Sequence, residues 1–389
     1  MQRTDFHEIE ISSRRFYSIL VTLAGVLVAA AYAFFYMESQ GHFVTGMNNQ
    51  VVWGLPHVVA IFLIVTASGA ANVASLGSVF NKPAYQPYGR ISLVLAMSLL
   101  LGGLLVILLD LGHADRLIIA MTHFNFDSVF AWNILLYSGF FVIMGLYLWS
   151  IMDRTATAKR CYQPLAYLGF VWRFILTAGT GSIFGVLVAR EYYDILMMAP
   201  LFIASSYLIG TACFSLVLLL LYKLEGRQLS EVIKSRLAIS LCLCIVVVTL
   251  IELARHLLNY FIMGYTAVEV FVLRDAGAVT LMFWLGQVVI GLVLPIILLY
   301  LPSVKRSRLA IASTLIMLGG LCQLYVIIIG GQLQPLRLFP NAVTETSGNL
   351  DIAYSASLPE LMLSLGGVAI TLFVFTIAVK VLRLTPANS

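Results

Sequence analysis

Charge is scarce in this sequence. Only 11% of its 389 residues are Asp, Glu, Lys or Arg, and 61% are hydrophobic. Soluble domains carry about 25% charged residues, so a chain this poor in charge is excluded as an ordinary soluble enzyme of two or three domains. Cysteine is sparse too. Cys161, Cys213, Cys242, Cys244 and Cys322 form no CxxC pair and mostly lie in apolar runs. An iron–sulfur cluster normally takes four thiolates, so the chain is expected to hold no cluster and no metal of its own. Histidine numbers six. A membrane haem of the b type needs two axial histidines at matched depth, and dihaem cytochromes need four. His57 and His256 are the only clear pair inside apolar runs, so no haem is expected on this chain. A cleavage-site pattern is also lacking near the N-terminus, and the first apolar run, starting near Phe16, reads as a retained span.

What the sequence has in abundance is long apolar runs. A span needs about 20 apolar residues to cross a hydrocarbon core about 30 Å thick. It must be helical, because no water is there to satisfy backbone N–H and C=O groups. About ten such runs are present: Phe16–Tyr36, Val51–Val79, Ile91–Leu109, Val129–Met152, Pro164–Ala189, Leu196–Tyr222, Leu237–Tyr260, Gly277–Leu301, Leu309–Gly330 and Pro359–Val381. The fold class is therefore all-α, a polytopic integral membrane protein forming a single membrane domain over 1–389.

The basic residues orient it. With the N-terminus inside, 17 of the 23 Lys and Arg fall on the inner side and 4 on the outer, while Arg173 and Arg255 lie within spans. This asymmetry is the positive-inside signal. It predicts a multi-pass protein of a bacterial inner (cytoplasmic) membrane with both termini cytoplasmic. It also explains the net charge of +5 without a nucleic-acid partner.

A faint internal echo runs through the chain. Gly54–Ala71 (GLPHVVAIFLIVTASGAA) and Ala199–Cys213 (APLFIASSYLIGTAC) share a leading proline and a small-residue step. The echo suggests two four-helix units, spans 2–5 (51–190) and 6–9 (191–330). One helix flanks them at each end: the N-terminal tail and first span (1–50), and an outer loop with the last span (331–389). The loop Gly331–Leu358 is rich in Gly, Pro, Asn, Ser and Thr, which reads as a flexible loop or a docking surface.

Ionisable residues inside a membrane are costly and mark functional sites by default. The topology puts five of the six histidines, all but His7, in the outer half. His57 opens span 2 beside Trp53, and Asp110 and His113 follow span 3. Arg190, Glu191 and Tyr192 follow span 5. Oxidising a quinol or reducing a quinone moves two electrons and two protons. That chemistry needs an apolar slot, a hydrogen-bond partner for each ring oxygen, and a group titrating near neutral pH. Histidine supplies the last, with an ordinary pKa of about 6.5, and a neighbouring carboxylate can pass the proton on. Trp53, His57, Asp110 and His113 make up such a slot. Glu252, Arg255 and His256 fall on one helix face at i, i+3 and i+4, as a structural ion pair or as part of a proton path. Arg173 lies mid-membrane and should face a carboxylate, a carbonyl or water.

Several stretches resemble one family. Leu109–Leu136 (LDLGHADRLIIAMTHFNFDSVFAWNILL) resembles the D-L-G-x-x-x-R-F…F-N-x-x-S-x-x-x-W loop of the NrfD/PsrC membrane subunits, and Trp53–Ala70 (WGLPHVVAIFLIVTASGA) resembles their W-G-x-P…G-A quinone-side helix. The ten-span length, Gly179–Arg190 (GTGSIFGVLVAR) and Ala199–Ile203 (APLFI) look most like the DsrP/HmcC branch, the membrane subunit of DsrMKJOP-type complexes. The resemblance covers nearly all of 45–380. It implies a quinone-interacting anchor of an electron-transfer complex whose substrate is a menaquinone or ubiquinone. A periplasmic iron–sulfur subunit of the four-cluster ferredoxin type would dock outside. A c-type cytochrome and a haem b membrane subunit are expected in the same complex, which for DsrP-like members serves dissimilatory sulfur metabolism. His57 matches the family's pocket histidine by position. Leu201 stands where its counterpart would fall in the second unit, so the chemistry is placed in the first. Many relatives have Arg-Pro after D-L-G where this chain has His113-Ala114.

The resulting assignment gives quinone binding to Trp53, His57, Asp110, His113 and Tyr192. Proton transfer falls to Asp110, Arg190, Glu191, Glu252, Arg255 and His256. The rival functions are a proton- or ion-transporting subunit without its own redox site, and a purely structural anchor.

Overall fold

The computed structural model describes residues 6–9, 12–113, 116–153, 155–187, 190–193, 196–300, 305–334 and 354–386. Ten helices are long and apolar enough to cross a membrane. They are Ser13–Gln40, Leu55–Ser78, Pro83–Leu109, Val129–Met152, Ala156–Gly185, Met198–Leu224, Glu231–Phe261, Ala278–Tyr300, Arg306–Leu333 and Leu358–Val381, called spans 1 to 10 here. Several exceed the apolar runs that encode them. Span 5 starts at Ala156 rather than Pro164 and span 7 at Glu231 rather than Leu237. The backbone keeps its helical hydrogen bonds beyond the hydrocarbon, so the helix runs on where hydropathy stops. Most of the loop predicted over Gly331–Leu358 lies outside the described residues.

Span 2 is the axis of the molecule. From Val58 to Ala70 every residue is buried, and it packs against spans 3, 5, 6, 9 and 10. It can do so because small residues let backbones touch. A Cβ on Gly69 would collide with the Ser206 carbonyl of span 6, and one on Gly210 with the Gly69 backbone. The two helices that share the sequence echo therefore cross at glycine. Spans 4 and 5 pack on each other, spans 8 and 9 do likewise, and span 10 lies between spans 1 and 3. Spans 8 and 9 meet at Gly291 and Gly319. Both contain π-helical turns, Met282–Val293 and Val326–Gly330, a form that recurs at functional sites.

The termini sit together, as an even number of crossings requires. Strand β1 (Phe6–His7) pairs antiparallel with β2 (Thr385–Pro386). Glu225, from the loop after span 6, accepts from the Thr385 hydroxyl at 3.0 Å and lies 3.0 Å from His7 Nε2. The guanidinium of Arg90, at the start of span 3, lies 3.8 Å from the centre of the Phe6 ring. The start of span 2 and the end of span 3 lie on the opposite face.

Candidate functional site

Two clusters of polar side chains gather toward the face opposite the termini. The first is built at the start of span 2. Gly54 and Pro56 begin the helix and set His57 in its first turn, and span 3 ends at Asp110. His57 Nδ1 lies 2.8 Å from Asp110 Oδ2, with the Asp110 side chain fully buried and that of His57 21% exposed. The atoms are within ion-pair distance but not aligned for a hydrogen bond. Both Asp110 oxygens are otherwise without a hydrogen-bond partner. Buried groups left so are uncommon and need an explanation. The Trp53 ring stacks on His57 at 6.2 Å and meets Phe130 and Phe184 at 6.3 and 5.5 Å. These rings and the partly exposed His57, with the buried Asp110 carboxylate behind it, make up the candidate slot.

The loop leading into this slot is held by groups absent from the sequence-derived assignment. Gln332, at the end of span 9, accepts from the backbone N–H of Val52 (2.9 Å) and Trp53 (3.0 Å) and donates to the carbonyls of Trp53 (3.0 Å) and Ile328 (2.8 Å). Glu360, at the start of span 10, accepts from Gly46 N–H at 2.8 Å and from the Tyr354 hydroxyl at 2.8 Å, whose oxygen in turn accepts from Leu55 N–H. Gly54 has to be glycine here, because a Cβ would run into the Glu360 carboxylate and Tyr354. One of these clamps had a sequence signal. Ser357 and Glu360 form a capping box, the S-x-x-E pattern that opens a helix. Gln332 had none.

The other sequence-predicted residues divide. Arg190 donates to the carbonyls of Gln332 (2.8 Å), Gln334 (3.2 Å) and Gln50 (2.7 Å), so it ties loops together beside the slot. Burial pushes its guanidinium below the usual range, partly offset by Tyr193. Glu191 is half-buried. His113 is exposed, while its neighbour Gly112 has φ +69° and backs onto the His42 ring. Tyr192 belongs to the second cluster, not to the His57 slot: its hydroxyl accepts from Arg255 Nη2 at 2.9 Å.

That second cluster is denser than the trio read from sequence. Glu252 accepts from Arg255 Nε (3.1 Å), Gln287 (2.8 Å) and Gln323 (2.8 Å). His256 Nδ1 lies 2.6 Å from Glu269, and Asn259 donates to the same carboxylate at 2.8 Å. Glu269 lies outside the sequence-derived assignment. It is fully buried. Burial alone would raise its carboxyl, but the His256 hydrogen bond and the charges of His256 and Arg255 outweigh it, holding the group below the usual carboxylate range. The clusters adjoin through rings: Phe184 meets both Trp53 and Tyr193, and Tyr193 meets Tyr192. Among the described residues no group of three metal-ligating side chains occurs.

Comparison with known proteins now decides the family. Residues 43–336 match the profile described as "Polysulphide reductase, NrfD". The chain belongs to the NrfD family. This NrfD-family chain is 26% identical to the Hdr-like menaquinol oxidoreductase integral membrane subunit of Archaeoglobus fulgidus, over 99% of itself and 98% of the relative. It is 24% identical to a selenate reductase subunit of Mesobacillus selenatarsenatis, over 92% of each. It is 25% identical to a polysulfide reductase polypeptide of Wolinella succinogenes, over 73% of itself and 95% of the relative. These relatives are named as subunits of oxidoreductases. The matches do not single out the DsrP branch.

Proposed function

We propose that this chain is the quinone/quinol-interacting membrane subunit of an oxidoreductase complex, and that its substrate binds in the Trp53–His57–Asp110 slot. The observation that carries the reading is the His57–Asp110 pair, buried in an aromatic slot with both carboxylate oxygens lacking a hydrogen-bond partner. Asp110 beside Nδ1 favours the tautomer with its proton there, leaving Nε2 to accept from a ring hydroxyl. Quinol oxidation releases two electrons and two protons. His57 takes the first proton at Nε2 as its Nδ1 proton moves to Asp110; once Asp110 releases that proton outward and the imidazole regains its Nδ1–H tautomer, the second proton follows the same way. The electrons pass to an acceptor outside this chain, a docked iron–sulfur subunit of the four-cluster ferredoxin type, with a c-type cytochrome and a haem b subunit beyond it. Menaquinol is the first substrate to try, because the Archaeoglobus relative is named for it. The charge asymmetry of the loops supports cytoplasmic termini and a slot on the periplasmic side of an inner membrane. A role in dissimilatory sulfur metabolism follows from the sequence likeness to the DsrP branch.

The test is His57→Ala in the assembled complex. Quinol-dependent electron transfer should fall at least tenfold while the complex stays intact. Wild-type turnover in that variant would move the site elsewhere. The rival reading, a proton-moving subunit, is favoured by one observation: the buried Glu252–Arg255–His256–Glu269 cluster shares no residue with the slot. Proton uptake that persists in His57→Ala but is lost in His256→Ala would support it.

A further inference from the structure

Three buried nitrogens in the middle of the membrane domain have nothing to donate to. They are Nε and Nη2 of Arg173 and Nδ2 of Asn72. The residues are 3% and 6% exposed. The asparagine amide is not free to flip, because its Oδ1 accepts from Nη1 of Arg173. Both side chains line one small space between spans 2, 5 and 6, with Ser68, Thr177, Ser206 and Tyr207. The hydroxyls there are engaged: Thr177 donates to the Arg173 carbonyl at 2.9 Å, Ser68 and Thr177 lie 2.6 Å apart, and Ser206 donates to the Ile203 carbonyl at 2.7 Å. The Tyr207 hydroxyl faces the guanidinium without reaching hydrogen-bond geometry. Every unpartnered buried polar atom at this space is thus a donor, and the occupant must be an acceptor.

Charge narrows the occupant further. Arg173 lies 17 residues into span 5 and 12 from its end, so about 26 Å and 18 Å from the two ends of the helix at about 1.5 Å per residue. Its described partners are neutral: the Ser68 carbonyl at 3.2 Å, the Asn72 amide and the Phe170 ring. No carboxylate among the described residues pairs with it. A lone cation at that depth is costly, and an uncompensated buried charge is among the strongest destabilising features a fold can carry. A water molecule in this space would accept from two of the three nitrogens and leave the charge standing. A monatomic anion accepts from all three nitrogens and cancels it.

We propose that Arg173 and Asn72 form a buried halide site, filled by chloride under ordinary salt conditions, that fastens spans 2, 5 and 6 together at mid-membrane. The site is independent of the quinone slot. The purified full chain or its native complex is exchanged into potassium bromide, and the bromide is located by anomalous scattering. Thermal unfolding is followed in parallel in potassium chloride and in potassium gluconate at equal ionic strength. The expected result is a bromide peak within hydrogen-bonding reach of Arg173 Nε and Asn72 Nδ2. The unfolding temperature should rise with chloride but not with gluconate. Asn72→Ala should weaken the chloride dependence and Arg173→Met should abolish it. No bromide peak, with unfolding indifferent to the anion, would mean a water-filled space and overturn the proposal. The wild-type measurements decide the matter even if either variant fails to fold.

Discussion

Replacing Gln332 with leucine should loosen the slot without touching any residue that lines it. The side chain is 2% exposed and makes four hydrogen bonds to backbone, at 2.8–3.0 Å. The losses are unequal. Val52 is 52% exposed, so its N–H can turn to water. The Ile328 carbonyl still accepts from the Tyr193 hydroxyl at 3.0 Å. The N–H and the carbonyl of Trp53 are stranded. At about 1–3 kcal/mol for each unsatisfied group, the local cost is about 2–6 kcal/mol. Trp53 stacks on His57, so this cost falls on the geometry of the slot. A tenfold loss of affinity corresponds to about 1.4 kcal/mol. Binding of a quinone analogue should therefore weaken at least tenfold, and the Trp53 amide should exchange faster with deuterium. Gln332→Glu keeps the acceptor oxygen for Val52 and Trp53 but loses both donors, so it should fall between leucine and wild type. Wild-type affinity and unchanged Trp53 exchange in the leucine variant would show that Gln332 does not hold the slot.

Glu252→Gln leaves the guanidinium of Arg255, 1% exposed, without its carboxylate. Breaking a buried pair from one side costs about 3–5 kcal/mol, so thermal unfolding in detergent should shift clearly downward, and an unchanged curve would count against the ion pair. The second cluster should also be acid-sensitive. The Glu269 carboxyl is held below its ordinary value in the folded protein, so its contribution to stability is complete above the unfolded-state pKa. That contribution is lost as pH falls through the lower, folded-state value. Unfolding followed from neutral pH downward should show a loss below the usual carboxylate range that Glu269→Gln removes; equal acid sensitivity in both proteins would refute it.

The membrane domain was legible because hydropathy acts on each run separately. Twenty apolar residues make a span whatever they later pack against. The His57–Asp110 approach was legible for a related reason: alternating direction alone brings the start of span 2 and the end of span 3 to one face. The limits were equally physical. Tyr192 follows span 5 close to Arg190 in sequence, and nothing local shows that its hydroxyl turns to Arg255 rather than toward His57. Helix ends were misplaced at spans 5 and 7 because backbone hydrogen bonding does not end where hydrophobicity does.

The residues that escaped sequence reading share one property. Gln332, Glu269, Gln287 and Gln323 are polar groups satisfied by partners on other elements: Gln332 reaches back 279 positions to Trp53, and Gln323 reaches 71 to Glu252. A neutral amide near a span end carries no penalty that hydropathy would flag, so it passes for a loop or interface residue. A charge does carry one, which is why Arg173 stood out in sequence while its carbonyl and amide partners did not. The asymmetry matters for the site. The ionisable side chains His57 and Asp110 are the ones a sequence reveals, whereas Gln332, which holds the loop before His57, is uncharged and distant. Gln332 bonds to the loop before span 2 from the last turn of span 9, and nine residues earlier in the same helix Gln323 bonds to Glu252. One helix therefore touches both polar clusters, and substitutions at these two glutamines perturb one cluster at a time.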